Sequence, residues 1–252
     1  MSGKMVLSDE LLVVYENIKL DYRKYNKKYK KLMRKLVLPY ETNKAQIVRA
    51  KEIGLDEAVY YRLLPSLANN SNRNDSLEML AETTSLKLIL TEDENVELPY
   101  INYKSNFANK ELSIYLKSDD SRGPFVRYLQ FLCANARKIT ICDNYFAYNW
   151  DNTRSLFNSI LPRNRLSIEY VETHSELTVI RNSELMTQEY ISTVFNQWTV
   201  TKSNLYTNSH DRYLRIESPE GTIEVMISSG FDHIWKNNPK EITCVIRDIT
   251  TN

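Results

Sequence analysis

The sequence predicts an α/β protein (α+β overall), in which helices flank a mixed β-sheet and a long helix occupies the N-terminal region. From residue 124 onward, short β-rich runs alternate with amphipathic helical segments, which favours a mixed sheet with helices packed on it. In residues 8–37, apolar and aromatic side chains recur at spacings of four and three, as on one face of a helix. The sequence therefore predicts a helical and irregular region over 1–118 and an α/β domain over 119–252.

The elements of the C-terminal domain are predicted from local composition. Pro124 suits the first turn of a helix, and the tripeptide Pro219-Glu220-Gly221 supplies a tight turn between two strands. The predicted strands are 138–142, 165–171, 211–217, 222–228 and 241–247. Three helices are predicted: one that begins at Pro124, one over 152–161 and one near 184–200.

Residues 8–37 are predicted to form one long helix, with Ser8 as its N-cap and Pro39 beyond its end. Its apolar seam runs through four heptads: Leu11, Tyr15, Ile18, Tyr22, Tyr25, Tyr29, Leu32 and Leu36. A helix of about 30 residues spans about 45 Å, too long to pack along its whole length on a small domain. We therefore expect it to pair, as a coiled coil or bundle, with another helix of this chain or with a protein partner or second subunit.

The opposite face of this predicted helix is strongly basic. Residues 1–40 contain 10 lysines and arginines against 4 acidic residues, although the net charge of the whole chain is +1. One interpretation is an ordinary solvated helix surface. The other is a stripe that faces nucleic-acid phosphates or an acidic protein partner. The candidate nucleic-acid-binding residues are Lys24, Lys27, Lys28, Lys30, Lys31, Arg34 and Lys35.

The segment that follows has a weaker pattern. Two short helices broken near Gly54 are predicted over 42–68, and a polar loop over 69–76. A helical turn is predicted at 77–82 and a short strand at 85–91. A further strand is predicted at 112–116.

Composition excludes several kinds of site. The chain has 5 glycines and neither a G-x-G-x-x-G nor a Walker A pattern, so no nucleotide cofactor is predicted. Cys133, Cys142 and Cys244 are odd in number and lack C-x-x-C spacing, which argues against a disulfide framework and a cysteine zinc site. No signal peptide opens the sequence, and no apolar run approaches the ~20 residues of a membrane span. A cytoplasmic protein without a membrane span is therefore expected.

Tyrosine is unusually common, with 17 residues in the chain. A tyrosine packs like other aromatic residues and keeps a hydroxyl that needs a hydrogen-bond partner. Core and interface packing is the simpler interpretation of any one of them, and stacking on bases or partners is the alternative.

Two short motifs in the C-terminal domain occur in a recognisable order. The first motif, Ser209-His210-Asp211-Arg212-Tyr213-Leu214, begins a predicted strand. The second motif, Ser228-Ser229-Gly230-Phe231-Asp232, follows the predicted hairpin that this strand begins. This order resembles the phospholipase D superfamily, and most closely its His-Asp-Arg branch, which includes the C-terminal domain of MIT-domain proteins. The upstream segment 139–146 resembles the first strand and turn of the same fold. The resemblance covers about half of the chain.

The resemblance implies phosphodiester chemistry for active members of the superfamily. In them, one histidine attacks phosphorus to form a phosphohistidine, a second protonates the leaving group, and lysines hold the nonbridging oxygens. His210 matches the nucleophile, and Arg212 stands where lysine is usual, a change that alters the geometry of phosphate binding. Glu217 stands near the position of the usual aspartate, and Asp232 or His233 replaces the usual asparagine. The candidate catalytic residues are therefore His210, Arg212, Glu217 and Asp232.

The His-Asp-Arg branch also resembles domains that bind without hydrolysis. In that interpretation His210 is structural, holds Asp211 or Asp232 in a hydrogen-bonded cluster, and leaves Arg212 paired with an acid. A metal site built from Glu172, His174 and Glu176 is conceivable, but alternating carboxylates are common on loop surfaces, so no metal site is predicted.

Two functions follow as expectations. The first is a noncatalytic phospholipase D-like binding and assembly module, whose basic N-terminal helix would hold nucleic acid or dock onto a larger complex. The resemblance adds that bacterial members look like components of antiviral defence systems. The alternative is a dimeric, metal-independent phospholipase D-like nuclease with His210 as nucleophile, so enzymatic activity is left open. A single motif supplies one histidine, and the nuclease would need a dimer or another histidine to complete its site.

Overall fold

The computed structural model describes residues 3–67, 76–108, 110–146, 148–171, 184–207 and 209–251. The chain divides into two compact units, Met1–Lys110 and Glu111–Asn252. This division lies upstream of the sequence-based boundary at 118/119, because the strand Glu111–Leu116 pairs with the strand Ile242–Asp248 of the second unit.

The first unit contains a parallel sheet with helices before and after its strands. The strands are β1 (Met5–Leu7), β2 (Tyr40–Glu41), β3 (Ile89–Thr91) and β4 (Tyr100–Asn102), and a short strand β5 (Phe107–Ala108) comes just before the division. The helices are α1 (Asp9–Asn17), α2 (Tyr22–Leu32), α3 (Lys44–Glu52), α4 (Glu57–Leu67) and α5 (Leu77–Glu82). Among the described residues, the sheet order is β2-β1-β3-β4, and each neighbouring pair is parallel.

The prediction that residues 8–37 form one helix is wrong. Ser8 caps the helix start as expected, since its Oγ accepts the Leu11 N–H, but α1 ends at Asn17. The Asn17 side chain donates to the Gly54 carbonyl at 2.8 Å and accepts the Asp56 N–H at 3.0 Å. Asp21 then caps α2. These contacts come from residues distant in sequence, which a heptad pattern does not register.

The apolar seam of the predicted long helix folds back on itself. The rings of Tyr15 in α1 and Tyr29 in α2 lie 5.9 Å apart, and the ring of Tyr40 packs edge-on against Tyr15 at 5.1 Å. Residues of the predicted seam therefore pack against each other within one unit, and this differs from the expected pairing of one long helix with another helix.

The prediction of a helical and irregular region over 1–118 missed the parallel sheet, although β3 lies within the short strand predicted at 85–91. β1 and β3 are each three residues long and entirely buried. Strands buried on both faces read as short apolar runs without alternation, which cannot be distinguished from pieces of helix by periodicity. The break between α3 and α4 near Gly54 and the helix at α5 agree with the sequence-based prediction.

The second unit contains a mixed sheet flanked by helices, and this confirms the coarse fold class. Its strands are β6 (Glu111–Leu116), β7 (Lys138–Cys142), β8 (Leu166–Val171), β9 (Trp198–Ser203), β10 (Arg212–Ser218), β11 (Gly221–Ile227) and β12 (Ile242–Asp248). Its helices of seven or more residues are α6 (Gly123–Cys133), α7 (Trp150–Ser159) and α8 (Gln188–Val194) among the described residues. The strand order is β6-β12-β11-β10-β7-β8-β9, with β7, β8 and β9 parallel and the remaining pairs antiparallel.

The end of the predicted helix near 184–200 is instead the edge strand β9. Trp198 at its start is fully buried, and its ring packs near those of Phe157 and Phe195. Burial of the large indole against the sheet therefore overrides the helical pattern around it. The tight turn at Pro219 and Glu220 is as predicted, because Ser218 pairs with Gly221 to close the β10–β11 hairpin.

Candidate functional site

Three strand ends of the second unit meet at one edge of its sheet. The register pairs Tyr213 of β10 with Cys142 of β7, and Arg212 with Ile227 of β11. Three features therefore lie side by side: the residue after β7, the first residue of β10 and the turn after β11. They are Asp143, Arg212 and the segment 228–230.

The side chain of Asp143 connects the end of β7 to the turn after β11. This side chain is buried, with Oδ1 accepting the Tyr145 N–H and Oδ2 accepting the Phe231 N–H, both at 2.9 Å. The Arg212 Nε lies 3.8 Å from Oδ1. Burial raises the pKa of Asp143, while the two N–H donors and then Arg212 oppose that rise. The carboxylate thus fixes the turn after β11 to the end of β7.

Gly230 is required by close packing in this turn. A Cβ atom there would lie 2.4 Å from the Asp232 Oδ1 and 3.3 Å from the Asp143 Oδ2. Asp232 lies in the 3-10 turn Phe231–Ile234, is itself buried, and forms an ion pair with Lys236 one turn later. A side chain at position 230 would therefore displace a buried carboxylate that is already held in place.

A polar pocket of about 500 Å³ opens over this edge. It is lined by Tyr145, Asn149, Arg212, Ser228, Ser229, Gly230, Asp232, His233, Lys236 and Lys240. Three of these side chains are cationic, and the one acidic side chain, Asp232, already forms an ion pair with Lys236. Arginine and lysine around a glycine-containing turn suit an anion with several oxygens, such as a phosphate group.

His233 contributes a titratable ring to the pocket. Its Nδ1 accepts the Lys240 backbone N–H at 3.2 Å, which leaves the proton of the neutral ring on Nε2. Burial lowers its pKa, and Lys236, Lys240 and Arg212 lower it further, whereas Asp232 raises it. The ring is therefore neutral at pH 7 and can donate one hydrogen bond to an anion.

This lowered pKa predicts a pH dependence of stability. The folded protein binds fewer protons at His233 than the unfolded chain, so stability is lost as pH falls below the ordinary value of 6.5. In His233→Gln that loss should disappear, as seen in the difference between the two urea-unfolding curves at successive pH values. The matched control His210→Gln, at an exposed position, should retain the loss of stability at low pH. An unchanged pH profile in His233→Gln would contradict the assignment.

The structure brings together two of the four sequence-predicted catalytic residues. Arg212 and Asp232 both line the pocket. His210 is exposed and is absent from the pocket lining, and its carbonyl accepts a hydrogen bond from Arg212 Nη1 at 3.2 Å. Glu217 lies at the other end of β10, about 17 Å along the strand from Arg212, where it contacts Lys138 and Arg215.

The basic residues predicted to bind nucleic acid lie in and just after α2. Lys24, Lys27, Lys30, Lys31 and Arg34 are exposed, whereas Lys28 and Lys35 are partly buried. Within the described part of the chain, Lys28 is the one of these seven with an ion-pair partner, Glu92 at 2.7 Å. The first unit therefore presents an exposed basic helix face, although a much shorter one than the sequence suggested.

Four residues of this site were not predicted as functional from the sequence: Asp143, Tyr145, Lys236 and Lys240. The useful signals were an acid directly after a fully buried strand, and a lysine four residues after Asp232 in a helical turn.

Other candidate sites add nothing to this pocket. Glu172, His174 and Glu176 lie outside the described residues. In the ranges that the structure describes, no group of three or more histidine, cysteine or acidic residues is arranged to hold a metal ion. Cys133, Cys142 and Cys244 are free and buried. No described helix is both long and apolar enough to cross a bilayer.

The sequence matches no protein-family model and shows no significant similarity to a curated protein. The geometry of the pocket and the motif order are therefore what bear on function.

Proposed function

We propose that the second unit is a noncatalytic module of the phospholipase D-like type, which binds nucleic acid through a phosphate group held in the edge pocket. The observation that carries this proposal is the set of three cations, Arg212, Lys236 and Lys240, around the turn at Gly230. Phosphate contacts by lysine and arginine supply most of the affinity of sequence-independent nucleic-acid binding.

The placement of the histidines favours binding over hydrolysis. The resemblance assigns nucleophilic attack to His210, but that side chain is exposed and does not line the pocket. The acid that would accompany it, Glu217, pairs with cations at the opposite edge of the sheet. His233 does line the pocket, and its neutral ring fits hydrogen bonding to a bound phosphate.

The exposed basic face of α2 adds a second phosphate-binding surface in the first unit. Its cations lack carboxylate partners in the described residues, apart from Lys28. Free surface cations of this kind attract a polyanion at long range and release counterions when it binds.

Fluorescence anisotropy on the full chain tests the proposal, with labelled single- and double-stranded oligonucleotides in EDTA at a series of salt concentrations. We expect a plot of the logarithm of the binding constant against the logarithm of the salt concentration to have a slope of about −2 or steeper. Each of the three pocket cations contributes about −0.7 to this slope on a single strand. The oligonucleotides should emerge intact.

Two results would contradict this function. Absence of binding to any oligonucleotide at about 50 mM salt would remove the phosphate-binding role. Cleavage in EDTA that is lost in His210→Ala, with the fold retained, would establish the alternative of a metal-independent nuclease.

A further inference from the structure

A second, differently lined pocket adjoins the phosphate pocket. It has a volume of about 390 Å³ and lies at the start of α7, where it is lined by Tyr148, Asn149, Trp150, Asp151, Asn152 and Leu185. Asn149 lines both pockets, so the two form one continuous surface. Among the described residues that line it, none is lysine or arginine. This part of the surface suits an uncharged group better than a phosphate.

Two tyrosines in this surface are exposed to solvent. Tyr145 is 51% and Tyr148 is 62% exposed. Tyr145 borders the phosphate pocket, and the Arg212 guanidinium carbon lies 5.7 Å from its ring centroid. Its place beside Asp143 is fixed, because its N–H donates to the buried carboxylate. An aromatic face is thus held at the border of an anion site and left open to solvent.

The neighbouring aromatic residues explain why these two rings remain outside. Phe146 and Trp150 turn inward and pack with Phe157, and the Trp150 Nε1 donates to the Tyr190 hydroxyl at 3.1 Å. This cluster anchors Phe146 and Trp150 to the core of the second unit. Among the described residues, Tyr145 and Tyr148 make no ring contact of this kind, which leaves both rings open to stack on a ligand.

From this juxtaposition we infer that the ligand of the pocket is single-stranded nucleic acid, with a backbone phosphate among Arg212, Lys236 and Lys240 and flanking bases stacked on Tyr145 and Tyr148. The inference rests on the proposed function and specifies its ligand. Bases of a duplex are already stacked on each other, so only an unpaired strand offers its base faces to an aromatic ring. Asn149 and Asn152 line the adjoining pocket, and their side-chain amides supply hydrogen-bond donors and acceptors there.

The test separates phosphate binding from base stacking. The full chain is titrated into a labelled oligothymidylate of about 12 nucleotides, an abasic strand with the same number of phosphates, and a duplex of equal length. We expect the oligothymidylate to bind at least about 10-fold more tightly than the abasic strand, since stacking strengthens binding by about that factor or more for each base. The duplex should bind more weakly than the oligothymidylate.

Substitutions at the two tyrosines give the second arm. Tyr145→Ala/Tyr148→Ala should lose at least about 10-fold in affinity for the oligothymidylate and keep its affinity for the abasic strand. Tyr145→Phe/Tyr148→Phe keeps both rings and should retain tight binding. The control is Tyr61→Ala, which removes a ring with 58% exposure from the first unit and should change nothing.

Each contrary outcome has a distinct meaning. Equal affinity for abasic strand and oligothymidylate, an alanine variant as tight as wild type, or preference for the duplex would overturn the inference and leave phosphate binding in place. Failure of every strand to bind would overturn the proposed function as well.

Discussion

Asp143→Ala should lower the free energy of unfolding of the second unit by about 3 kcal/mol. The substitution leaves the N–H groups of Tyr145 and Phe231 without their acceptor and removes the carboxylate beside Arg212. Each buried donor without a partner costs about 1–3 kcal/mol, and the energy needed to bury the carboxylate offsets part of the loss. Tryptophan fluorescence during urea unfolding reports this unit selectively, since Trp150, Trp198 and Trp235 all lie in it.

Two further variants sharpen this result. Asp211→Ala removes an exposed carboxylate close in sequence to the site and should change the unfolding free energy by less than about 0.5 kcal/mol. Asp143→Asn keeps one acceptor and should be destabilised less than Asp143→Ala. A loss in Asp143→Ala no greater than that in Asp211→Ala would mean that the carboxylate does not hold the turn.

The raised pKa of Asp143 gives these variants a defined pH dependence. The folded protein binds more protons at this group than the unfolded chain, so wild-type stability falls as pH rises from the ordinary carboxyl value of 3.8 through the raised pKa. Asp143→Ala and Asp143→Asn both lack this carboxyl group. The stability difference between wild type and Asp143→Asn should therefore shrink as pH rises through that interval.

Removing two pocket cations should weaken nucleic-acid binding by about 30-fold. Arg212→Gln/Lys240→Gln eliminates two phosphate contacts, each worth about 1 kcal/mol in a solvent-exposed pocket. The slope of log affinity against log salt should become shallower by about 1.4 on a single strand. Lys236 is kept in this variant, because its loss would leave the buried Asp232 carboxylate without its ion-pair partner.

The control for this experiment is Arg154→Gln/Lys117→Gln, which removes two exposed cations of the second unit that do not line the pocket. It should bind nearly as tightly as wild type, with a nearly unchanged salt slope. Equal weakening in both double variants would indicate diffuse attraction by net charge, and not a phosphate site at the sheet edge.

The second unit was predictable from the sequence because its strands are of ordinary length and its turns carry their usual residues. The strand β10, the two-residue turn after it and the Gly230 turn each lie within one or two residues of their predicted positions. Arg212 and Asp232 could therefore be placed together. His210 was included because the resemblance matches it to the nucleophile, but β10 begins only at Arg212, so His210 lies before the strand.

The first unit was less predictable because its structure depends on contacts between distant residues. Asn17 ends α1 through Gly54 and Asp56, and no local pattern marks that event. The strand β3 lies within the strand predicted at 85–91, but β1 is stabilised by pairing with β3 and by complete burial, and its three residues are too few to show a period. The positions of Lys236 and Lys240 in the pocket were not predicted. The 3-10 turn that places Lys236 near Asp232 has no apolar repeat from which it could be recognised.

The most direct measurement of phosphate binding at the sheet edge is an NMR titration of glycine amides, which are few enough in this chain to be followed one by one. Full-length protein labelled with ¹⁵N at glycine alone has five glycine amides, at Gly3, Gly54, Gly123, Gly221 and Gly230. On titration with a short oligothymidylate, we predict that the Gly230 signal moves progressively while Gly221, at the opposite end of β11, stays in place. A saturating interaction that shifts Gly3 or Gly54 and leaves Gly230 unmoved would place the nucleic acid on the first unit and contradict a phosphate site in the pocket.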